Sequence, residues 1–138
     1  MAKYTKPTLD TKFHIDFSWW QQKGQNLRAF LQGHLCEGCR EEAADSEGQT
    51  FDWISPDTGE VFTIDSLWHV IHKNCPNDPE FFDSRVPLTT AIFRAFIANN
   101  NAPLTPQELF EVTQKKSPEM ILRTIGRRQV YKGIKPVR

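Results

Sequence analysis

The sequence predicts an α+β fold in two parts, and three observations predict it. Strand-like alternation and a turn-flanked pair of apolar runs occupy the first half, with helical stretches between them. The last third holds three amphipathic helical stretches separated by short polar turns. All three cysteines and three of the four histidines lie in or beside two compact clusters of the first half.

Residues 1–12 read as a loose basic arm. Phe13, Ile15 and Phe17 alternate with His14 and Asp16, the period of a short half-buried strand. Ser18-x-x-Gln21 has the form of a capping box. It opens a helix whose apolar face carries Trp20, Leu27, Leu31 and Leu35 down to the first cluster. Residues 41–50 are acidic and read as a flexible connector. Phe51–Ile54 and Val61–Ile64 flank Ser55-Pro56-Asp57-Thr58-Gly59-Glu60, the composition of a β-hairpin turn. Asp65 is placed to cap the next helix, with Leu67, Trp68, Ile71 and Cys75 on its stripe, and Pro76 ends it.

The first cluster is Cys36-Glu37-Gly38-Cys39 and the second closes with His72-Lys73-Asn74-Cys75, with thirty-two residues between the two pairs. C-x2-C followed by H-x2-C supplies two tight pairs of soft donors, as a tetrahedral zinc site requires. Gly38 would permit the sharp turn between the thiolates. The expected ligands are Cys36, Cys39, His72 and Cys75, with His69 or His34 as alternates for the imidazole. With every cysteine committed, the site reads as structural zinc, whose binding would be shared with folding of the first 85 residues. The order knuckle, hairpin, helix resembles treble-clef zinc modules in outline, though here the second ligand pair sits at the far end of the helix.

The boundary falls in Pro76–Pro87, giving a zinc-binding module over 1–85 and a helical unit over 86–138. A helix from Thr89 or Thr90 buries Ile92, Phe93, Phe96 and Ile97 and ends in Asn99-Asn100-Asn101. Thr105-Pro106-Gln107-Glu108 is a capping box with proline at the first helical position, and Leu104 can staple onto Leu109. Ser117-Pro118-Glu119 opens the last helix, which buries Ile121, Leu122 and Ile125 and stops at Gly126.

Net charge is zero overall but segregated: +3 over residues 1–33, −9 over 34–85 and +6 over 86–138. Such asymmetry points to a nucleic-acid-facing end and to an acidic half suited to a protein partner. The residues hold no paired carboxylates at catalytic spacing, no Ser/His/Asp set and no glycine-rich phosphate loop, so no enzymatic activity is expected. No apolar run approaches the roughly eighteen residues of a membrane span, and residues 1–12 are polar. Together with reduced, metal-like cysteines this predicts a cytoplasmic protein.

Two short helices joined by a tight turn, the second opened by Ser117-Pro118, resemble a helix-turn-helix. With the preceding helix and the tail Gln129–Val137, residues 88–138 resemble a winged helix. The resemblance implies that the last helix enters the major groove, offering Glu119, Met120, Arg123 and Thr124 to base edges. Lys115, Lys116, Arg127, Arg128, Lys132, Lys135 and Arg138 would contribute positive charge toward phosphates, about four to six of them neutralised and binding therefore steeply salt-dependent. DNA is the expected partner in preference to RNA, through a transcription regulator or a DNA-binding accessory subunit. An assembly subunit of a larger protein or ribonucleoprotein complex is the competing expectation.

Overall fold

Phe13 and Ile15 are buried while His14 between them is half-buried, and that alternation forms β1 (Phe13–Ile15). The structure, a computed structural model, describes residues 6–137; residues 1–5 of the basic arm and Arg138 lie outside them. The partner of β1 comes from the far end of the chain. β4 (Ile134–Pro136) runs antiparallel to it, pairing Phe13 with Pro136 and Ile15 with Ile134. On its other side the Phe13 N–H donates to the Leu104 carbonyl at 2.8 Å and its own carbonyl accepts from Leu104 at 3.0 Å. β1 is therefore sandwiched between the tail and the segment that precedes the second helix of the C-terminal unit.

The long helix expected after Ser18 is two helices. α1 (Phe17–Gln22) is capped by Asp16, whose carboxylate accepts from the Ser18 N–H at 3.0 Å, so the Ser18 capping box is not used. Gly24 sits at φ +63, a left-handed conformation that stops the helix, and Asn26 restarts it by capping α2 (Leu27–Gln32). The acidic connector is likewise partly helical, as α3 (Arg40–Asp45). Its first turn holds Glu41 and Glu42, where carboxylates suit the positive helix end. Arg28 ties these pieces together, reaching the Asp65 carboxylate at 2.7 Å and the Ala43 carbonyl at 2.9 Å.

The hairpin forms as expected. β2 (Thr50–Ile54) and β3 (Val61–Asp65) pair in register Trp53 to Phe62, with Gly59 at φ +76 in the loop. Asp65 then accepts from the Leu67 N–H at 2.9 Å at the start of α4 (Leu67–Asn74), and a 3₁₀ turn through Cys75–Asn77 carries the chain past Pro76.

α5 (Leu88–Ala98) is apolar nearly all round, burying Ala91, Ile92, Phe93, Ala95, Phe96 and Ile97, and such a helix belongs in the middle of a core. It packs against α4 on one side and against α6 (Pro106–Thr113) and α7 (Pro118–Ile125) on the other. The Thr105–Glu108 capping box is present in both directions. One hydrophobic cluster runs from Phe13 through Trp68 and Phe93 to Ile134, crossing residue 86 without a break. Phe17 meets Trp53 and Trp68 edge-on at 5.1 and 5.2 Å, and both indoles donate to Asn100. Instead of a free-standing wing, the tail makes a two-residue turn at Lys132 (φ +49) and Gly133 (φ +84) and returns onto β1. Among the described residues no helix is long and apolar enough to cross a membrane.

Candidate metal centre and basic face

Cys36 precedes a 3₁₀ turn, Glu37–Cys39, and the turn is closed by the Cys39 N–H donating to the Cys36 carbonyl at 3.2 Å. Gly38 is not among the positive-φ residues, so this turn does not depend on glycine's conformational freedom. The 3₁₀ turn after α4 delivers Cys75 from the opposite side. The Cys36 sulfur lies 3.1 Å from that of Cys39 and 2.8 Å from that of Cys75, and Cys39 and Cys75 are 3.9 Å apart. The Cys36 N–H also donates to the Cys75 sulfur at 3.3 Å.

Three sulfurs gathered in this way could bind a metal ion. A tetrahedral ion with bonds of about 2.3 Å holds its sulfurs about 3.8 Å apart, so Cys36 would have to move away from its two neighbours by about 1 Å or less. Cys39 and Cys75 are buried and Cys36 is half-buried. Burial, reinforced by the hydrogen bond to Cys36, pushes both buried thiols above their ordinary pKa. Without a cation these are neutral thiols; a bound cation would hold them as thiolates and displace their protons.

None of the three candidate histidines stands with the sulfurs, and among the described residues the group contains no fourth donor. His72 turns toward α5, its Nδ1 lying 2.8 Å from the Ile97 carbonyl. A carbonyl only accepts, so Nδ1 is the protonated nitrogen there. His69 packs its ring on Phe51 at 5.5 Å. His34 is buried and stacks on Phe93, and its Nδ1 accepts from Arg94 Nε at 3.1 Å. Burial, aided by the Arg94 charge, lowers the His34 pKa to about 4, so the ring is neutral.

Arg94 went unnoticed in the sequence because it lies inside an otherwise apolar helix. Besides His34 it donates to the carbonyls of Phe81 (3.0 Å) and Gly33 (3.3 Å), and its guanidinium sits 5.0 Å over the Phe81 ring. Among the described residues no carboxylate is within ion-pair distance of it.

The candidate nucleic-acid residues divide into two groups. α7 is capped by Ser117, whose hydroxyl accepts from the Met120 N–H at 3.1 Å. Ile121 and Ile125 are buried, which leaves Glu119, Met120 and Arg123 exposed on the other face, with Arg127 exposed one turn on. The Thr124 hydroxyl is turned back to the Met120 carbonyl at 2.8 Å. Lys116 and Arg128 are exposed. Lys6 of the basic arm, unremarked in the sequence, lines the same groove as Arg123 and Arg127. Three expected phosphate contacts are instead engaged within the chain. Lys115 donates to the Asp83 carbonyl at 2.7 Å, Lys132 sits 5.1 Å over the Phe30 ring, and Lys135 pairs with Asp16 at 3.1 Å.

No protein-family model matches the chain, and no curated protein or solved structure matches it significantly.

Proposed function

We propose that this is a small zinc-containing, non-catalytic DNA-binding protein, a transcription regulator or an accessory subunit, with α7 as its recognition helix. The observation that carries the reading is the outward row Glu119, Arg123 and Arg127 on a Ser117-capped helix, with Lys6 across the groove from it. A helix that buries one stripe on its neighbours and turns charged and polar side chains outward has the form needed to enter a major groove. The tail hairpin is folded onto β1, with Lys132 and Lys135 spent on internal contacts, so the reading rests on α7 and not on a wing. Zinc is favoured because the donors are thiols, which suit zinc better than hard cations. The half-buried Arg94, which has no carboxylate within ion-pair distance, lies in the field of the Cys75 sulfur, and a thiolate there would favour its charge.

The test is a titration of zinc-loaded protein with random duplex DNA at three salt concentrations. Replacing Arg123 and Arg127 by Glu should weaken binding at every concentration and flatten the log–log salt slope by about 2. Affinity and slope unchanged by the double substitution would overturn the reading.

A second reading, an assembly subunit docking a protein through the acidic half, is supported by Ile54 and Val61. These are 62% and 54% exposed, directly paired across the hairpin, and neighbours of Asp52 and Glu60. Replacing both with Thr should release a stoichiometric partner in pull-downs while leaving DNA affinity intact; a complex retained by the variant would exclude this face.

A further inference from the structure

We propose that the fourth donor to the metal comes from outside this chain and is a neutral nitrogen donor of the imidazole class; this rests on the metal-binding reading of Cys36, Cys39 and Cys75. The chain gathers three sulfurs, and the undescribed residues 1–5 and 138 contain no Cys, His, Asp or Glu that could add a fourth ligand of those types. Cys36 lines a cleft of about 330 Å³ between the knuckle and the loop that follows Cys75.

The charged groups and the imidazole on the walls of that cleft all have partners within the chain. Asp78 accepts from the Glu80 N–H at 2.8 Å. Asp83 holds Arg85 through both its backbone and side chain, and Glu80 lies 3.7 Å from the same guanidinium. Arg94 is spent on His34, Phe81 and Gly33, which also occupies the His34 Nδ1. Glu37 is exposed and faces Arg40 at 3.5 Å. Recruiting Glu37, Glu80, Asp83 or His34 would disturb an interaction the structure makes, and Asp78 is held by a backbone N–H through one oxygen, whereas an incoming donor needs only the path to Cys36.

Charge selects the class of donor. The cleft is lined by four carboxylates, Glu37, Asp78, Glu80 and Asp83, against two guanidiniums, Arg85 and Arg94. Three thiolates around a divalent ion add a further negative charge. A small anion would enter against that field, while a neutral imidazole would not, and imidazole is a good partner for zinc-like ions.

The full chain loaded with Co²⁺ tests this, because cobalt reports thiolate ligation and coordination number in its visible spectrum. Imidazole should shift the visible bands saturably, azide at the same concentrations should not, and His72→Gln should leave the starting spectrum unchanged. The titrations use protein diluted until its starting bands no longer change; a change on dilution would show that a second copy of the chain already supplies the donor. Bands indifferent to imidazole, bands altered by His72→Gln before any addition, or azide binding more tightly than imidazole would each overturn the proposal. Failure to see any thiolate-to-cobalt band is a different result, which removes the metal reading itself.

Discussion

The carboxamide of Asn101 accepts from the Ile15 N–H at 2.7 Å and donates to the Ile15 carbonyl at 2.8 Å. Both bonds go to one residue, so the side chain acts as the strand neighbour that β1 lacks at that position. Phe13 is paired in the same way by the backbone of Leu104, while Lys12 and Asp16 face the tail. The fully buried Asn101 thus extends a ladder that holds β1 between two distant parts of the chain. Its backbone is left-handed at φ +61, which costs a residue with a Cβ about 1–2 kcal/mol.

Two substitutions separate these effects. Asn101→Ala leaves both Ile15 groups without partners and keeps the backbone strain, and should cost about 2–4 kcal/mol in urea unfolding. Asn101→Gly loses the same bonds but relieves the strain, and should fall between Ala and the native protein. An alanine variant as stable as the native protein would mean that the carboxamide contributes nothing.

Much of this architecture was legible because it is local. The Thr105–Glu108 box, the hairpin with its Gly59 turn and the buried face of α5 formed by Ile92, Phe93, Phe96 and Ile97 are each written within one short stretch of sequence. What escaped is either a break in a regular pattern or a long-range pairing. Trp20, Leu27 and Leu31 keep helical spacing across Gly24, so the periodicity hides a turn made by one left-handed residue and a cap at Asn26. The acidic run at Glu41–Asp45 has the charge of a linker, yet its Ala43 is buried and fixes it as a helix. The three-cysteine cluster was readable from spacing alone. The imidazole was not, because the partner that claims His72, the Ile97 carbonyl, lies on another helix.

Gly133 carries a second tight requirement. It sits at φ +84, and a Cβ there would approach the Asp16 carbonyl and the Trp20 indole nitrogen, both at 3.1 Å. The indole is large and buried, and the carbonyl is backbone at the cap of α1, so neither yields easily. Gly133→Ala should destabilise by about 1–3 kcal/mol, combining left-handed strain with overpacking. Thermal unfolding with an unchanged midpoint would show that the tail turn relaxes freely.

Asp16 links the tail to pH. Burial alone would raise its pKa, but hydrogen bonds from Ser18 and Lys135 and the Lys135 charge outweigh it and hold the carboxyl below its ordinary 3.8. A carboxylate depressed in the folded state stabilises fully above that ordinary value, and the contribution is lost as pH falls through the folded value. Asp16→Asn should therefore be less stable than the native protein at pH 7, and the two curves should converge below about pH 4. A gap that persists undiminished at pH 2 would trace the effect to packing and not to charge.

If Cys36, Cys39 and Cys75 hold a metal ion, its removal should reveal how far that centre supports the fold. Zinc finger peptides unfold without their ion because roughly 10 kcal/mol of binding is their folding energy. Here Leu67, Trp68 and Ile71 of α4 are buried in a core that includes Phe93 and Phe96 and extends well beyond Cys39 and Cys75. Chelation should therefore lower the midpoint of thermal unfolding while leaving helical content at 25 °C largely intact. Cys75→Ser, which puts a hydroxyl at a fully buried site, should reproduce that loss and make the midpoint insensitive to the chelator. Hydrogen exchange should then quicken first over residues 36–45 and 75–82, the two stretches that the centre joins. Identical midpoints with and without chelator in a protein shown to carry one ion would mean that the metal serves a ligand and not the fold.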